Sequence, residues 1–402
     1  MPSATPARDA PGREHATAFP HDASVAVYVH LPFCATRCGY CDFATTATAR
    51  IPYDAYTQAL GAEWQHVQAH MVGRVGGSLY LGGGTPSLWP SAHLAALLSL
   101  LPLHRDAFSE VTLEANPRDG DAAWYRDIAR LGINRISIGV QAMSDARLRW
   151  LGRTHTAAQA RQSVHWARQA GIENISVDFI YATPQQTLAE IETELRALLA
   201  LQPAHISAYE LSLSPQSPLG QRALASLPDD AARADMWWRV RHCLESAGYA
   251  GYEVSNYALP GRQSRHNQHY WRGGRYVGLG AGAHGHLVTA SGRFRYENIP
   301  TPSAYIERAG KGAPDEDRGS TWRHIDILED AALARELVML GLRTTQGVDL
   351  RVLAALAPAL LRDWQPVFAR WCQQGLAQMT PTHLCPTPQG MLWADSLALA
   401  CF

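Results

Sequence analysis

Cys34, Cys38 and Cys41 stand in one short run, Tyr28-Val-His-Leu-Pro-Phe-Cys-Ala-Thr-Arg-Cys-Gly-Tyr-Cys-Asp-Phe43, with the spacing C-x3-C-x2-C. Three thiolates in one loop can hold three irons of a [4Fe-4S] cluster, which ordinarily takes four cysteine ligands. The fourth iron is then open to a small molecule, which can be bound there and reduced. On spacing alone, a three-cysteine zinc site with a distant fourth ligand stays open as the alternative. The other cysteines, Cys243, Cys372, Cys385 and Cys401, are scattered without ligand-like spacing. Seven cysteines, an odd count with three clustered, argue against a secreted disulfide framework.

A loop of this kind needs a scaffold, and the sequence supplies a rhythm of short β-rich runs, Gly/Pro/Asn punctuation and longer helical stretches. Strands are expected over Val25–His30, Ser78–Leu81, Glu110–Glu114, Arg135–Ile138, Asn174–Ile180 and His205–Tyr209. Helices are expected over Tyr53–His70, Ala92–Leu101, Ala122–Leu131, Ala157–Ala170, Leu188–Leu201 and Asp229–Ala247. Six such alternations imply parallel strands with right-handed crossovers, hence an α/β fold with its chemistry at the carboxyl ends of the strands. The cysteine loop follows the first strand directly. Residues 1–24 read as a flexible tail without the apolar core of a signal peptide, and 25–247 as the partial barrel. Residues 248–320 form a Gly/Tyr-rich segment with a loop near 309–320. Residues 321–402 read as a small, mostly helical domain of winged-helix type with a β-like end around Met391–Ala394.

Each strand end carries a polar or glycine signature. Gly82-Gly83-Gly84-Thr85-Pro86 follows the second strand, where backbone without side chains can approach a ligand closely. Glu114 closes the third strand in Leu-Glu-Ala-Asn-Pro117 and could hold a cationic amino group or ribose hydroxyls. Gly139-Val-Gln141, then Arg153 in Leu-Gly-Arg-Thr-His155, and Asp178 follow on successive strands and connections. Gln and Asp can hydrogen-bond ribose, and Arg can grip a carboxylate bidentately.

Taken together, the cysteine motif, GGGTP, LEANP, GVQ and LGRTH resemble the coproporphyrinogen dehydrogenase branch of the radical S-adenosylmethionine (SAM) superfamily, from about Val25 to the end. That resemblance implies a partial (β/α)6 barrel, a [4Fe-4S] cluster on Cys34, Cys38 and Cys41, and S-adenosylmethionine bound at the open iron. It also implies that Tyr28, Gly83, Gly84, Thr85, Glu114, Gln141, Arg153 and Asp178 line the adenosylmethionine pocket. Two features divide the branch. The dehydrogenases continue the third cysteine with Gly-Cys, whereas this chain has Cys41-Asp-Phe43. Further on, Ser264-Arg-His266-Asn267-Gln-His269-Tyr270-Trp271, followed by Tyr276-Val-Gly-Leu-Gly-Ala-Gly-Ala-His284-Gly, resembles HemW-type heme chaperones in its H-N-x-x-Y-W pattern. Elsewhere the chain departs from the family: Ala182-Thr183-Pro184 stands in place of the more usual Gly-Leu-Pro.

Imidazole is a common axial ligand of heme iron, and Tyr and Trp pack on porphyrin faces. The resemblance places heme on His266, with His269, His284 and His286 as the other candidates. It implies a cytoplasmic heme chaperone, alone or as a homodimer, that delivers heme to apo-hemoproteins such as respiratory enzymes, with peripheral contact to those in membranes. The competing readings are oxygen-independent oxidative decarboxylation of coproporphyrinogen III and radical modification of heme; the missing cysteine after Cys41 counts against the first. A net charge of -1 gives no electrostatic footprint for nucleic acid. No apolar run approaches the length of a membrane span.

Overall fold

In the computed structural model, residues 24–71, 73–101, 108–289, 292–311 and 321–402 are described. The expected N-terminal tail and most of the loop near 309–320 lie outside them. β1 (Ser24–Leu31) runs into the cysteine loop, which carries a two-residue parallel pair, β2 (Phe33–Cys34) and β3 (Thr46–Ala47). There follow α1 (Tyr53–His70), β4 (Arg74–Gly83), α2 (Ser91–Leu100), β5 (Phe108–Ala115), α3 (Ala122–Arg130) and β6 (Arg135–Gln141). Next come α4 (Asp145–Trp150), α5 (Ala157–Gln169), β7 (Asn174–Tyr181), α6 (Leu188–Leu199), β8 (His205–Glu210), α7 (Gly220–Ala223) and α8 (Asp230–Ser246). β1, β4, β5, β6, β7 and β8 are neighbours in that order and all parallel. Strands covered on both faces read as near-continuous apolar runs, and β6 is buried at every position but its last. Helix starts are equally local. Thr156 with Gln159 and Thr187 with Glu190 form capping boxes that open α5 and α6.

The sheet does not stop where the six-fold rhythm ends. β9 (Ala250–Gly251) and β10 (Asn256–Ala258) extend it antiparallel beyond β8. After α9 (Arg265–Trp271), β11 (Tyr276–Leu279) returns to the other side and pairs parallel with β1. β12 (His284–Thr289), β13 (Gly292–Asn298), α10 (Pro302–Ala309) and β14 (Trp322–Ile327) follow. The result is an open twelve-stranded sheet with β14 and β9 at its edges, a partial barrel that does not close.

A buried carboxylate ties these added strands to the barrel. Glu63 on α1 is 3% exposed and accepts from Gly280 N–H (2.9 Å), Asn298 Nδ2 (2.6 Å), the Tyr305 hydroxyl (2.6 Å) and Thr321 Oγ1 (3.3 Å). Beside it, the Tyr56 hydroxyl accepts from Ala281 N–H and donates to the His30 carbonyl.

The remainder is a separate core: α11 (Asp330–Gly341), β15 (Val348–Asp349), α12 (Leu350–Leu356), α13 (Pro358–Gln373), β16 (Ala377–Met379) and β17 (His383–Pro386). The three strands order as β15-β17-β16, with the helices packed around them. The β-like end expected around Met391–Ala394 is helical instead, in α14 (Pro388–Leu392) and α15 (Ala394–Leu399). Thr387 accepts from Gly390 N–H and Pro388 sits in the first turn, a helix start that outweighs the apolar run after it.

Replacing Glu63 with Ala removes the acceptor of the Gly280 N–H and the Tyr305 hydroxyl, while Asn298 and Thr321 keep others, and costs about 1–3 kcal/mol for each donor that water cannot reach. We expect Glu63→Ala to lower the melting temperature and to speed amide exchange at Gly280 while the amides of β6 and β7 stay protected. Hydrogen-exchange mass spectrometry checks this, and uniform loss of protection would show that Glu63 holds the whole barrel rather than its added edge.

Candidate functional site

At the carboxyl ends of β1 and β4 to β8 lies a cavity of about 450 Å³. Its walls include the cysteine loop and seven of the eight residues expected around adenosylmethionine: Gly83, Gly84, Thr85, Glu114, Gln141, Arg153 and Asp178. The glycines are needed first for packing. A Cβ on Gly84 would lie 2.7 Å from the Phe33 carbonyl oxygen, and Gly83 has φ +121° with the His30 ring where a Cβ would stand. β4 therefore presses its backbone directly onto the segment that carries Cys34, and Thr85 Oγ1 comes within 3.5 Å of the Cys34 sulfur.

All three loop cysteines are free thiols. Burial raises the Cys34 thiol pKa, and the Thr85 hydroxyl draws it back. They share the cavity without enclosing a single ion: among the described residues, no group of three His, Cys, Asp or Glu side chains converges on one metal position. One thiolate per iron of a cluster is compatible with that arrangement. Arg37, which donates to the Cys41 carbonyl, and Arg153 are cations beside them, and Arg153 is the buried one. It reaches the Cys38 sulfur at 3.5 Å and the Gly139 carbonyl at 3.1 Å, and its other contact is the Asn116 side-chain oxygen.

The acids of the cavity are in an unusual state. Burial pushes the Glu114 carboxyl up to about 7, against hydrogen bonds from the Tyr80 hydroxyl (2.8 Å) and Gly83 N–H (3.0 Å). Burial likewise lifts Asp178 to about 6, against the hydroxyls of Ser207 and Ser137 and the nearby Arg135 charge. Perturbed carboxylates gathered in one cleft mark a functional site. Gln141 closes β6 at φ +65°, a strained conformation for a residue with a side chain, and lies in the wall. Ala182 is also left-handed at φ +60° and is buried. That backbone explains why glycine is the more usual residue there.

Tyr28 is the exception among the eight. It lines an adjoining cavity of about 520 Å³, which shares Phe43, Gly83 and Glu114 with the first. Its hydroxyl donates to His30 Nδ1 at 2.8 Å, since His30 Nε2 must give its proton to the Ala44 carbonyl. Asn116, Asp119 and His155 also line the cysteine cavity. Asn116 and His155 sit inside the LEANP and LGRTH runs, so the motifs located them without giving them a role.

His266, on which the resemblance places heme, is enclosed by its own neighbours. His266 is 1% exposed, and both ring nitrogens are engaged, Nδ1 with the Ser78 hydroxyl (2.8 Å) and Nε2 with the Tyr270 hydroxyl (2.9 Å). It lines neither cavity. Burial holds its pKa down at about 3. A motif shows that a histidine is present but not what its nitrogens already hold.

Residues 28–198 match the radical SAM superfamily, and residues 328–393 match the HemN C-terminal domain. The heme chaperone HemW of Lactococcus lactis is 37% identical over 80% of this chain and 82% of its own length. That of Escherichia coli is 39% identical over 67% of this chain and 72% of its own. This chain belongs to the HemW family. In fold, the HemW-family chain is similar to coproporphyrinogen III oxidase (HemN) from Escherichia coli, with a TM-score of 0.78 at 21% identity, covering 96% of this chain and 91% of that one. Membership in the radical SAM superfamily implies a [4Fe-4S] cluster and S-adenosylmethionine, and the free thiols and raised carboxylates of the first cavity fit both. Among the described residues, no helix is long and apolar enough to cross a membrane.

Because folded Glu114 holds its proton more tightly than an unfolded Glu, its contribution to stability is full below about pH 4.5 and is lost as pH rises through about 7. A cation bound at Glu114 needs the opposite, ionised form. Adenosylmethionine is therefore expected to bind about tenfold more tightly at pH 8 than at pH 6. Glu114→Gln should weaken binding and flatten that profile. Calorimetric titration of the cluster-loaded protein tests this; a pH profile unchanged in the variant would remove Glu114 from the ligand's amino group.

Proposed function

We infer that this chain is a heme chaperone: it binds heme, a [4Fe-4S] cluster and S-adenosylmethionine, and delivers heme to apo-hemoproteins. The observation that carries this reading is the pair of adjoining cavities. One holds three free thiols, Arg153 and the raised carboxylates; the other, lined by Tyr28, Tyr270, Tyr276 and His284, can receive a flat aromatic ligand. The relatives named as heme chaperones support the same reading. Cys34, Cys38 and Cys41 would hold the cluster, which supplies an electron-transfer centre and an open iron. Glu114, Asp178, Gln141, Arg153 and the Gly83–Thr85 backbone would hold adenosylmethionine. On the protein's side, Arg153 offsets thiolate charge beside Cys38, and Thr85 steadies Cys34 by a hydroxyl contact.

The acceptors in this reading are hemoproteins such as respiratory enzymes, met in the cytoplasm or at a membrane surface, with the chain alone or as a homodimer. A second reading, oxidative decarboxylation of coproporphyrinogen III, is favoured only by the fold shared with HemN. Cys41-Asp-Phe43, which lacks the further cysteine of the dehydrogenases, weighs against it.

The two readings separate on anaerobically reconstituted, dithionite-reduced protein. Heme is titrated in, and the protein is then incubated with adenosylmethionine and coproporphyrinogen III. Stoichiometric heme uptake without decarboxylated product is expected, and sustained protoporphyrinogen formation would overturn the chaperone reading. In the same preparation, Cys38→Ala should lose the cluster's iron, whereas an unchanged iron content would refute the ligand assignment.

A further inference from the structure

The geometry points to His284 as the residue that ligates heme iron, in the second cavity and not at the H-N-x-x-Y-W histidine. This rests on the heme reading above and deepens it by naming the site. Four histidines compete, and their surroundings separate them. Both nitrogens of His266 are engaged. His269 is buried, with Nε2 donating to the Arg275 carbonyl at 2.7 Å. His286 is wholly buried, with Nδ1 directed to the Gly274 carbonyl, and it lines neither cavity. His284 alone of the four is exposed and lines the second cavity, and among the described residues its imidazole has no hydrogen-bond partner.

The cavity around it suits a porphyrin. Its volume of about 520 Å³ lies within the range of sites for cofactor-sized ligands. Tyr28, Tyr270 and Tyr276 line it, with the last two rings meeting edge to face at 4.5 Å. Gly273 and Gly274 form part of the wall. Arg295 lines it too. Its guanidinium is paired with Glu336, which lines the same wall, and it is the cationic group there for a propionate.

His284 is also held still at its backbone. It opens β12 opposite Glu297, its carbonyl lies so close to Gly278 that a Cβ there would overlap it, and the next residue, Gly285, packs on the Tyr296 ring. The turn before it is pinned through Gly280 and Ala281 to Glu63 and Tyr56. A ligand on a fixed strand end is positioned before the iron arrives. His266 then becomes a positioning residue: through Nε2 it holds the hydroxyl of Tyr270, whose ring faces the cavity.

The test uses full-length, cluster-loaded protein titrated with hemin and followed by absorption and electron paramagnetic resonance. His284→Ala should lose the imidazole-ligated ferric spectrum and bind hemin at least tenfold more weakly, and added imidazole should restore the spectrum. His266→Ala should keep that spectrum with a smaller loss of affinity. Because His284 is exposed, melting should be unchanged, and His284→Gln serves as a second variant that removes the ligand. Wild-type spectrum and affinity in both His284 variants, or equal spectral loss in His266→Ala, would overturn the assignment. Wild-type protein that takes up no hemin would overturn the heme reading itself.

Discussion

The second half of the molecule hangs on one buried carboxylate. Glu63 sits in the middle of α1, yet its hydrogen-bond donors come from Gly280, Asn298, Tyr305 and Thr321, far along the chain. Such a group is tolerable in a protein interior only when its lone pairs are filled, and here four elements converge to fill them. That convergence fixes β11 against β1, and with it the turn that presents His284. The same helix supplies Tyr56, which bridges the His30 carbonyl to Ala281 N–H. The loop of the cluster and the wall of the second cavity are thus braced from a single helix.

Between the two cavities stands a thin partition of Gly83, Glu114 and Phe43. Glu114 is held from one direction by the hydroxyl of Tyr80, whose ring stacks on both Tyr28 and His266. A change in the charge of Glu114 therefore acts on a carboxylate whose hydrogen-bond partner belongs to the aromatic stack behind the second cavity. In the proposed function, that partition is the physical link through which occupancy of the cluster site could bear on heme. Coupling of this kind needs differential contacts in two states, and the shared residues name where those contacts would be.

Much of this was legible in the chain. The six strand–helix alternations fall where local signals put them, because parallel strands buried on both faces and helices with Thr caps carry their patterns in a few residues. The α1 helix spans Tyr53–His70 as expected. The strands β10 to β14 were not legible. β10 and β11 are short, β11 and β12 contain glycines that read as loop, and β11 finds its partner in β1 at the other end of the chain. The site divides along the same line. Cysteines, glycines and acids at strand ends gather as their positions imply. By contrast, the role of His266 depended on Ser78, and that of Tyr28 on which side of Gly83 its ring falls. Both are long-range facts that no local motif contains.

β1 is the earliest strand among the described residues and one of the innermost. Val27 lies between Leu79 of β4 on one side and Val277 of β11 on the other. During synthesis, the barrel up to β8 can assemble while β1 still shows a bare edge, and that edge is covered only once residues 276–279 have left the ribosome. The strand that leads into Cys34 is thus an unfinished surface for most of translation, open to wrong pairing with another chain. Iron loaded before the closing strand arrives would enter a loop with one supporting side. The order of synthesis and the position of β1 together mean that the cysteine loop gains its second flanking strand only when β11 has been made.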